Sequence, residues 1–531
     1  MLMNLMPRSR KGMVAAPHYL ASQTGAFILQ SGGNAVDAAV AVSAVLGVVY
    51  PHMTGPGGDA FFLIHDGKTG EITAYNGSGR SAAGAVPEWY LNKGYTSIPQ
   101  RGPLAAVTVP GMVDAWAAVW NRYGRLPWAE VMAPAIRYAK EGFPASPSLA
   151  RWTVRDLEWL QADPYLYQTF LKAGQPLEEG DLVIQPKLAE AMQGIAEHGR
   201  DYMYTGLLGQ QIGQAAAHDG SLLTAEDFAA HRGEWVEPIS TSYRDHQVYQ
   251  LPPNTQGFSL LMMLNMLEQT ELSSVARFSP EFYHLMTETV KKAFRDRDRY
   301  LTDPGFRHIP LERLLSKPYA HKLWYEMQYQ PQAAEHLSAA MGQDTAYAAV
   351  ADDEGNAVSF IQSLYFDFGS AYVPGGQGVI LQNRGSFFSL DDRLPNVLEP
   401  RKRTFHTLMP GMVTKNGRPY LLLGTQGGEG QPQTQLSILT GMIDYKLNIQ
   451  QAIALPRWLY GRTWGTLSDT LKIENRSYED IYSRLEAYGH TVEPVSDYDA
   501  LMGEAQGIHI SEQGVFSGAA DPRSDGMAIG I

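Results

Sequence analysis

One threonine of the sequence is placed where its hydroxyl could act as a nucleophile. Thr345 begins an alternating run of small and apolar residues at 346–351, and an acidic turn at 352–356 separates this run from a second β-rich run at 357–368. The pattern predicts a hairpin with Thr345 at its mouth. A threonine hydroxyl attacks a carbonyl efficiently only beside a base, and an N-terminal amine on the same residue, with a pKa of about 8, can be that base. That amine would exist only if the bond between Asp344 and Thr345 were broken, so a chain that uses this base would be a zymogen while it is intact.

Two consecutive glycines could stabilise the charge that such an attack develops. Gly427 and Gly428 follow the strand-like run 421–425. Since they carry no side chains, their N–H groups can approach a developing oxyanion closely, and one such donor is worth about 3–4 kcal/mol to the transition state. An ordinary turn is the alternative interpretation of the same pair.

Several predicted elements would form the scaffold around these residues. Residues 12–16 are typical of a strand. A helix is predicted to begin at Asn34, which can cap it, and the negative charge of Asp37 is favourable near the positive N-terminal end of the helix dipole. That helix is nearly all apolar and should be buried between layers. Apolar residues recur on one face of 282–300, which predicts a long amphipathic helix. The glycine-rich stretch 51–60 lacks the ending of a phosphate loop and is interpreted as a turn into a strand.

Composition and charge restrict the classes of partner. The chain has 531 residues, and its net charge of −13 argues against nucleic acid or an anionic membrane as a partner. It contains no cysteine, which excludes disulfides and thiolate metal sites. Neither an HExxH motif nor a clustered histidine and carboxylate spacing is present, so no metal and no cofactor are predicted. The N-terminus lacks the order of a secretory signal and no apolar run reaches the length of a membrane span, so a cytoplasmic location is predicted ahead of secretion.

The surroundings of Thr345 favour a nucleophile over a threonine that only suits the pleat of a strand. They resemble the nucleophile segment of the γ-glutamyltranspeptidase family, whose members are N-terminal nucleophile hydrolases. The usual histidine two places after the nucleophile is Tyr347 here. The other similar stretches are GMVAA at 12–16, GGNAVDAAVA at 32–41, GNAVS at 355–359, the closing Phe368-Gly369 and the end at 518–526.

The resemblance implies both a fold and a processing event. The fold is of the α+β class, a four-layer αββα sandwich in which two chains share one core. The cut would divide the sequence into a large subunit, 1–344, and a small subunit, 345–531, that begins with the nucleophile. Residues 331–343 lack periodicity and are interpreted as a loose linker ahead of the cut.

The resemblance also assigns roles around the nucleophile. It implies that Gly427 and Gly428 form the oxyanion hole and that Ser363 steadies Thr345 across the hairpin. Arg80 lies in the region where the family holds a substrate α-carboxylate through an arginine, whose fork geometry suits that group.

The implied substrate pocket departs from the family pattern. Tyr365 stands where asparagine is usual, Arg384 where glutamine is usual, and Phe387 where an aspartate pairs with the ammonium of the γ-glutamyl group. His406 and Thr407 stand where two serines bind a carboxylate. Loss of the aspartate removes the partner of a cation that is costly to bury alone, so the pocket should accept an acyl group without the ammonium.

The resemblance therefore implies a self-cleaving amidohydrolase or acyltransferase that acts on γ-glutamyl or glutaryl-type amides through an acyl-enzyme on Thr345. Segment 381–389 is more similar to the cephalosporin-acylase-like branch of the family, and glutaryl is γ-glutamyl without its amino group. One alternative is a true transpeptidase that uses amino acid or peptide acceptors. Another is an unprocessed, non-catalytic dicarboxylate-binding protein. The expected partners are the small amide substrate and the two subunits of one precursor, with higher oligomers left open.

Overall fold

The computed structural model describes residues 6–329, 344–461, 468–475 and 481–531. The predicted linker at 331–343 lies outside the described residues, and so does the side chain of Asp344. Among the helices that are described, none combines the length and the apolar character needed to cross a membrane.

Helices and strands are interspersed along the chain. The strands are β1 (Arg8–Ser9), β2 (Gly12–Ala16), β3 (Asp59–His65), β4 (Ile72–Gly77), β5 (Phe143–Pro144), β6 (Leu171–Lys172), β7 (Gln175–Pro176), β8 (Leu182–Val183), β9 (Glu234–Val236), β10 (Ile239–Tyr243), β11 (His246–Gln250), β12 (Asp344–Asp352), β13 (Ala357–Tyr365), β14 (Gly411–Lys415), β15 (Arg418–Thr425), β16 (Trp458–Tyr460), β17 (Leu471–Glu474), β18 (Val492–Val495), β19 (Ala505–Ile510), β20 (Phe516–Ala520) and β21 (Met527–Gly530). The helices are α1 (Tyr19–Gln30), α2 (Ala35–Val49), α3 (Pro87–Leu91), α4 (Met112–Tyr123), α5 (Trp128–Glu141), α6 (Pro147–Arg155), α7 (Leu157–Ala162), α8 (Pro164–Phe170), α9 (Pro186–His198), α10 (Arg200–Tyr204), α11 (Leu207–His218), α12 (Ala225–Ala230), α13 (Gly257–Leu267), α14 (Pro280–Tyr300), α15 (Leu311–Leu314), α16 (Lys317–Tyr329), α17 (Gln431–Ile443), α18 (Ile449–Ala454) and α19 (Ile481–Ala487).

Most of these strands join two large antiparallel sheets. In the described residues, the first sheet has the order β1-β20-β19-β15-β14-β11-β10 and the second has the order β21-β2-β12-β13-β3-β4-β9. A smaller sheet joins β16, β17 and β18.

The alternation of side chains along the strands shows how the layers stack. In β3, Phe62 and Ile64 belong to the core that the second sheet shares with α1 and α2, whereas Phe61 and Leu63 face the first sheet. In β15, Leu422 faces the second sheet, and its two neighbours contact the core formed with α13 and α17. Since successive strand residues point to opposite faces, these three cores define the order helix, sheet, sheet, helix. The predicted αββα sandwich is confirmed.

The two helices predicted from caps and periodicity are present. The Asn34 side chain accepts hydrogen bonds from the N–H groups of Val36 and Asp37, and the Asp37 carboxylate accepts from the N–H of Asn34, which forms a complete capping box. Every residue of α2 is buried, as its apolar composition requires. Ser279 caps α14 in a similar way by accepting from the N–H of Phe282.

The strands on either side of the predicted cut are interleaved. In the second sheet, β12 and β13 lie between β2 and β3, although all of β13 and all of β12 after Asp344 follow the Asp344–Thr345 bond in sequence, and β2 and β3 precede it. In the first sheet, β14 of the predicted small subunit pairs with β11 of the large one. Breaking that bond would therefore leave two chains that hold each other through sheet hydrogen bonds and one shared core. The division into 1–344 and 345–531 stays a prediction.

Candidate active site

Thr345 lies at the start of β12, in the middle of the second sheet. The pairing of β12 with β13 shifts register between Asp344 and Ala346, so that Thr345 faces two residues, Ser363 and Leu364. Such bulges re-aim side chains and are frequent beside active sites. Thr345 is only 1% exposed in the uncut chain. Ser363 thus lies across the hairpin from Thr345, as its predicted role requires.

Tyr347, two residues after Thr345, points into the space between the sheets. Its ring packs on Gly424, where a side-chain Cβ would come within 2.1 Å of the ring. Its hydroxyl lies 2.8 Å from Ser359 Oγ, which in turn donates to the carbonyl oxygen of Gly411 at 2.9 Å. The tyrosine that replaces the usual histidine is therefore a buried packing residue, and the absence of a side chain at 424 makes room for it.

Arg384 is the central cation of the predicted pocket, and it is buried. Its Nη1 donates to Thr407 Oγ1 at 3.2 Å and its Nη2 to Ser363 Oγ at 3.3 Å. The guanidinium carbon lies 4.1 Å from the centre of the Tyr365 ring. Burial lowers the pKa of Arg384 to about 10, against the opposing influence of Tyr365 and Asp59, so the group is still a cation at neutral pH.

The Arg384 guanidinium has unused capacity to bind an anion. Within the part of the chain that the structure describes, no carboxylate pairs directly with it, and its Nε has no hydrogen-bond partner. A buried cation without a direct ion pair is costly, and a substrate carboxylate could form that pair and accept from the unpaired Nε.

Aromatic side chains form the wall beside this cation. Tyr365 has a φ of 89°, a conformation that costs a residue with a side chain roughly 1–3 kcal/mol and is typical of functional sites. Its ring centre lies 5.2 Å from that of Phe387, which lies 4.5 Å from that of Phe405. Phe387 therefore presents an apolar ring where the family pattern has an aspartate.

His406 and Asp59 form a buried pair beneath the pocket. His406 Nε2 lies 3.1 Å from an Asp59 carboxylate oxygen, and His406 Nδ1 accepts from the N–H of Leu408 at 3.4 Å. The proton therefore resides on Nε2, and the ring is neutral, consistent with burial that holds the pKa of His406 well below its usual value. Burial also raises the pKa of Asp59 to about 6, although Arg384 and hydrogen bonds from Gln382 and two backbone N–H groups oppose the rise.

Gly427 and Gly428 lie directly after β15, and both have positive φ, 121° and 50°. A Cβ at position 427 would lie 3.3 Å from the Cα of Gly503. Among the described residues, neither N–H of the pair donates a hydrogen bond within the protein. Two unpaired donors in a glycine conformation suit an oxyanion hole, which is the predicted role of the pair.

Gln256 holds the glycine loop against the pocket. Its Nε2 donates to the carbonyl oxygens of Gly428 and Thr407, both at 2.9 Å. Its Oε1 accepts from Arg297 Nη1 at 3.1 Å, and Arg297 also pairs with Glu429 at 3.1 Å. The Gln256 side chain thus fixes the loop of the predicted oxyanion donors relative to Thr407, which contacts Arg384.

Arg80 lies apart from this group. Its Nη1 contacts Asp303 and the carbonyl oxygen of Arg401, each at 3.2 Å, and its side chain is 37% exposed. In the described residues no contact joins it to Arg384. Its role as a carboxylate ligand stays a prediction, and the structure gives it a different carboxylate partner in the precursor.

Sequence reasoning missed two positioning residues, Asp59 and Gln256. Asp59 follows Gly57-Gly58, whose backbones pass so close to their neighbours that a Cβ would lie 1.9 Å from the Ile380 carbonyl oxygen and 2.3 Å from that of Ser363. An acidic residue after paired glycines at the start of a buried strand was the available signal. Gln256 gave none, because the two carbonyl oxygens that its Nε2 binds lie more than 150 positions away.

Comparison with known proteins identifies the family of the chain. A family model described as gamma-glutamyltranspeptidase matches residues 21–531. The chain belongs to the gamma-glutamyltranspeptidase family. Among its relatives, the glutathione hydrolase-like YwrD proenzyme of Bacillus subtilis is 53% identical over 529 residues and covers 100% of both chains. The oxamate amidohydrolase proenzyme of Klebsiella pneumoniae is 38% identical, over 98% of this chain and 99% of that protein.

A solved structure extends the likeness to the fold. The crystal structure of cephalosporin acylase from Bacillus halodurans superimposes with a TM-score of 0.92 at 37% identity, over 100% of this chain and 98% of the other. As a gamma-glutamyltranspeptidase family member, the chain is a proenzyme of the amidohydrolase and acyltransferase class, whose members act on small amides. The predicted enzyme class is confirmed, and the roles of individual residues stay predictions.

Proposed function

We propose that the protein hydrolyses amides whose acyl part ends in a carboxylate, of the γ-glutamyl or glutaryl type, through an acyl-enzyme on Thr345. The observation that carries this proposal is the buried Arg384 guanidinium, which contacts Ser363 and Thr407. A carboxylate on the substrate would supply the direct ion pair that this cation lacks among the described residues.

The proposed reaction follows from the residues that surround Thr345. After the Asp344–Thr345 bond is cut, the Thr345 hydroxyl attacks the amide carbonyl carbon and its proton passes to the new α-amine. The oxyanion is held by the N–H groups of Gly427 and Gly428. The amine then protonates the leaving nitrogen, the C–N bond breaks, and water hydrolyses the resulting ester to release the acid and restore Thr345.

The first experiment measures the intact mass of the freshly purified protein under denaturing conditions, beside the variants Thr345→Ala and Thr345→Ser. We expect two chains that meet at Asp344 and Thr345 in the wild type, slower cutting in the serine variant and a whole chain in the alanine variant. A wild type that stays whole after prolonged incubation would favour the binding-protein alternative, in which the uncut chain still binds small dicarboxylates.

The second experiment compares kcat/KM for glutaryl-p-nitroanilide and γ-glutamyl-p-nitroanilide, with and without dipeptide acceptors. Because Phe387 offers no partner for the substrate ammonium, we expect the glutaryl compound to be preferred. A preference for the γ-glutamyl compound, with turnover raised by dipeptides, would support the transpeptidase alternative instead.

A shorter acyl group is a second candidate, favoured by the position of Arg384. Its guanidinium is one hydrogen bond from Ser363, which faces Thr345 across the bulge, so a bound carboxylate would lie close to the attacked carbonyl. The Klebsiella relative is described as an oxamate amidohydrolase, and oxamate carries its carboxylate directly on the amide carbon. Rates for the monoamides of dicarboxylic acids with two to five carbons would decide between the candidates, since the best chain length reports the distance from Thr345 to the guanidinium.

A further inference from the structure

Two histidines and a glutamate meet where α14 contacts the segment after α19. His284 and Glu288 lie one turn apart on α14, and His490 follows α19. One possible ligand atom from each residue lies within 4.8 Å of the other two. His284 Nδ1 and His490 Nε2 are 2.8 Å apart. This group lies outside the candidate active site, and no step of the proposed reaction uses it.

Both sides of the cluster are rigidly held. Residues four apart on a helix share a face, which brings His284 and Glu288 together. On the other side, α19 ends in a Schellman motif in which Gly489, with a φ of 88°, donates to the carbonyl oxygen of Glu486 and His490 donates to that of Leu485. The backbone of His490 is therefore fixed.

Further contacts dock this turn on α14. The Tyr488 ring lies 4.9 Å from the His284 ring, and its hydroxyl donates to Glu281 at 3.1 Å. Arg484 of α19 also pairs with Glu281. The three candidate ligands are thus presented by two docked elements and not by mobile loops, which is the condition for a defined site.

The His490 ring is buried with only one of its two nitrogens paired. Its Nε2 is paired with His284, but its Nδ1 is buried without a hydrogen-bond partner among the described residues. Either neutral tautomer of the pair leaves that atom unsatisfied at a cost of about 1–3 kcal/mol, and this cost remains when an ion binds His490 through Nε2.

We propose that His284, Glu288 and His490 form a binding site for a divalent transition-metal ion, with Zn²⁺ as the best fit. Two imidazoles and one carboxylate are a ligand set that zinc takes in proteins, whereas magnesium and calcium prefer oxygen ligands alone. The half-buried His284 leaves room on its side for a water as fourth ligand. On binding, the proton between the two histidines moves to the other nitrogen of its own ring. His284 Nδ1 and His490 Nε2 can then each direct a lone pair at the ion.

Lys291 sets the affinity of this site. Its Nζ lies 2.7 Å from a Glu288 carboxylate oxygen, so it competes with a cation for that ligand. The ammonium must swing away or share the carboxylate when the ion binds. Removal of its charge should therefore tighten metal binding, which a structural role for the cluster does not predict.

Metal binding would also link the two predicted subunits. His284 and Glu288 precede the Asp344–Thr345 bond and His490 follows it. This consequence rests on the proposed cleavage, whereas metal binding itself does not, since all three residues belong to one chain before the cut.

The test uses protein without a polyhistidine tag, treated with a chelator, freed of it and then titrated with Zn²⁺. Bound zinc is measured by elemental analysis after gel filtration, and affinity by competition with a zinc-sensitive dye. We expect one equivalent per precursor chain in both the wild type and the uncut Thr345→Ala variant. Because loss of an outer-shell partner alone costs ~10–100-fold in affinity, loss of a ligand in His284→Gln or His490→Gln should cost ~100-fold or more.

Two further variants complete the design. His198→Gln is the matched control, because His198 is an exposed histidine beside a glutamate that lies outside the cluster, and it should bind zinc like the wild type. Lys291→Gln should bind more tightly by ~10-fold, and it keeps the proposal testable if a ligand variant fails to fold. Zinc should raise the Tm of the wild type and leave that of His490→Gln unchanged. The proposal is overturned if the wild type retains no zinc, or if the ligand variants bind it as tightly as the wild type does.

Discussion

The two sides of the candidate site are built from different material. The oxyanion side, Thr345 with Gly427 and Gly428, places backbone N–H groups and one hydroxyl, and it keeps the residues of the family pattern. The carboxylate side, formed by Tyr365, Arg384, Phe387, His406 and Thr407, places side chains, and most of them depart from that pattern. Backbone N–H donors can stabilise the oxyanion of any amide, whereas the side chains of the pocket determine which acyl group binds. The difference supports the proposal that the chemistry of the family is retained while the preferred acyl group is changed.

The largest expected effect lies on the oxyanion side. Gly427→Ala puts a side chain on a φ of 121° and 3.3 Å from Gly503, so the loop must shift and re-aim its N–H groups. Loss of one oxyanion donor lowers kcat by ~10²–10³-fold, and we expect a fall of that size with KM little changed. Steady-state kinetics on the best anilide substrate measure it.

Gly417→Ala is the control for backbone strain alone. Gly417 has a φ of 74° in the turn between β14 and β15, with no atom within 4 Å of an added Cβ. We expect it to cost stability of about 1 kcal/mol and no activity. Equal losses of kcat in both variants would show that strain, and not oxyanion binding, is what the first substitution reports.

The next effect lies on the carboxylate side and changes selectivity. Arg384→Gln restores the residue usual in the family and removes the charge-assisted hydrogen bonds proposed for the substrate carboxylate. Such bonds contribute about 1.5–3 kcal/mol, so kcat/KM for glutaryl-p-nitroanilide should fall by ~10–100-fold. The double variant Arg384→Gln with Phe387→Asp should gain on the γ-glutamyl compound. Parallel losses on both compounds in the single variant, with no gain in the double, would argue that Arg384 supports the fold and does not read the acyl group.

Features of the fold and the site differ in how far they could be predicted from the sequence. The hairpin that begins at Asp344 and the capped helix α2 depend on neighbouring residues, and both were predictable. The pair of Asp59 with His406 joins positions 347 apart, and the pair of His284 with His490 joins positions 206 apart. No local pattern marks such contacts, because the sheet order that creates them is set by the whole chain. For that reason the metal site now proposed departs from the sequence prediction that no metal binds.

The third prediction concerns the buried pair under the carboxylate side. With its pKa raised from 3.8 to about 6, Asp59 stabilises the fold fully below pH 3.8 and loses that contribution, ~3 kcal/mol, as the pH rises through 6. His406 acts in the opposite sense, because its lowered pKa means that the fold is penalised as the pH falls below 6.5. The two trends oppose each other in the wild type.

Asp59→Asn should therefore leave the His406 trend uncompensated. In an uncut Thr345→Ala background, the Tm of Asp59→Asn should rise more steeply between pH 4.5 and 6.5 than that of its parent, as measured by calorimetry. Asp392→Asn, at an exposed position, is the control and should follow the parent. A variant that matches the parent at every pH would refute the raised pKa of Asp59.

The smallest effect is expected at Tyr347, the one departure from the family pattern next to the oxyanion side. Tyr347→Phe keeps the ring on Gly424 and removes only the hydrogen bond to Ser359, which still donates to the carbonyl oxygen of Gly411. The cost should be about 1 kcal/mol of unfolding free energy in the uncut Thr345→Ala background. A double-mutant cycle with Ser359→Ala isolates the bond, and the two losses should not add.

In the processed enzyme, kcat of Tyr347→Phe should stay within about twofold of the wild type, because the hydroxyl contacts Ser359 between the sheets. A fall in kcat of tenfold or more would show that Tyr347 takes part in the reaction. The oxyanion side would then, like Arg384 on the carboxylate side, depart from the family pattern at a functional residue.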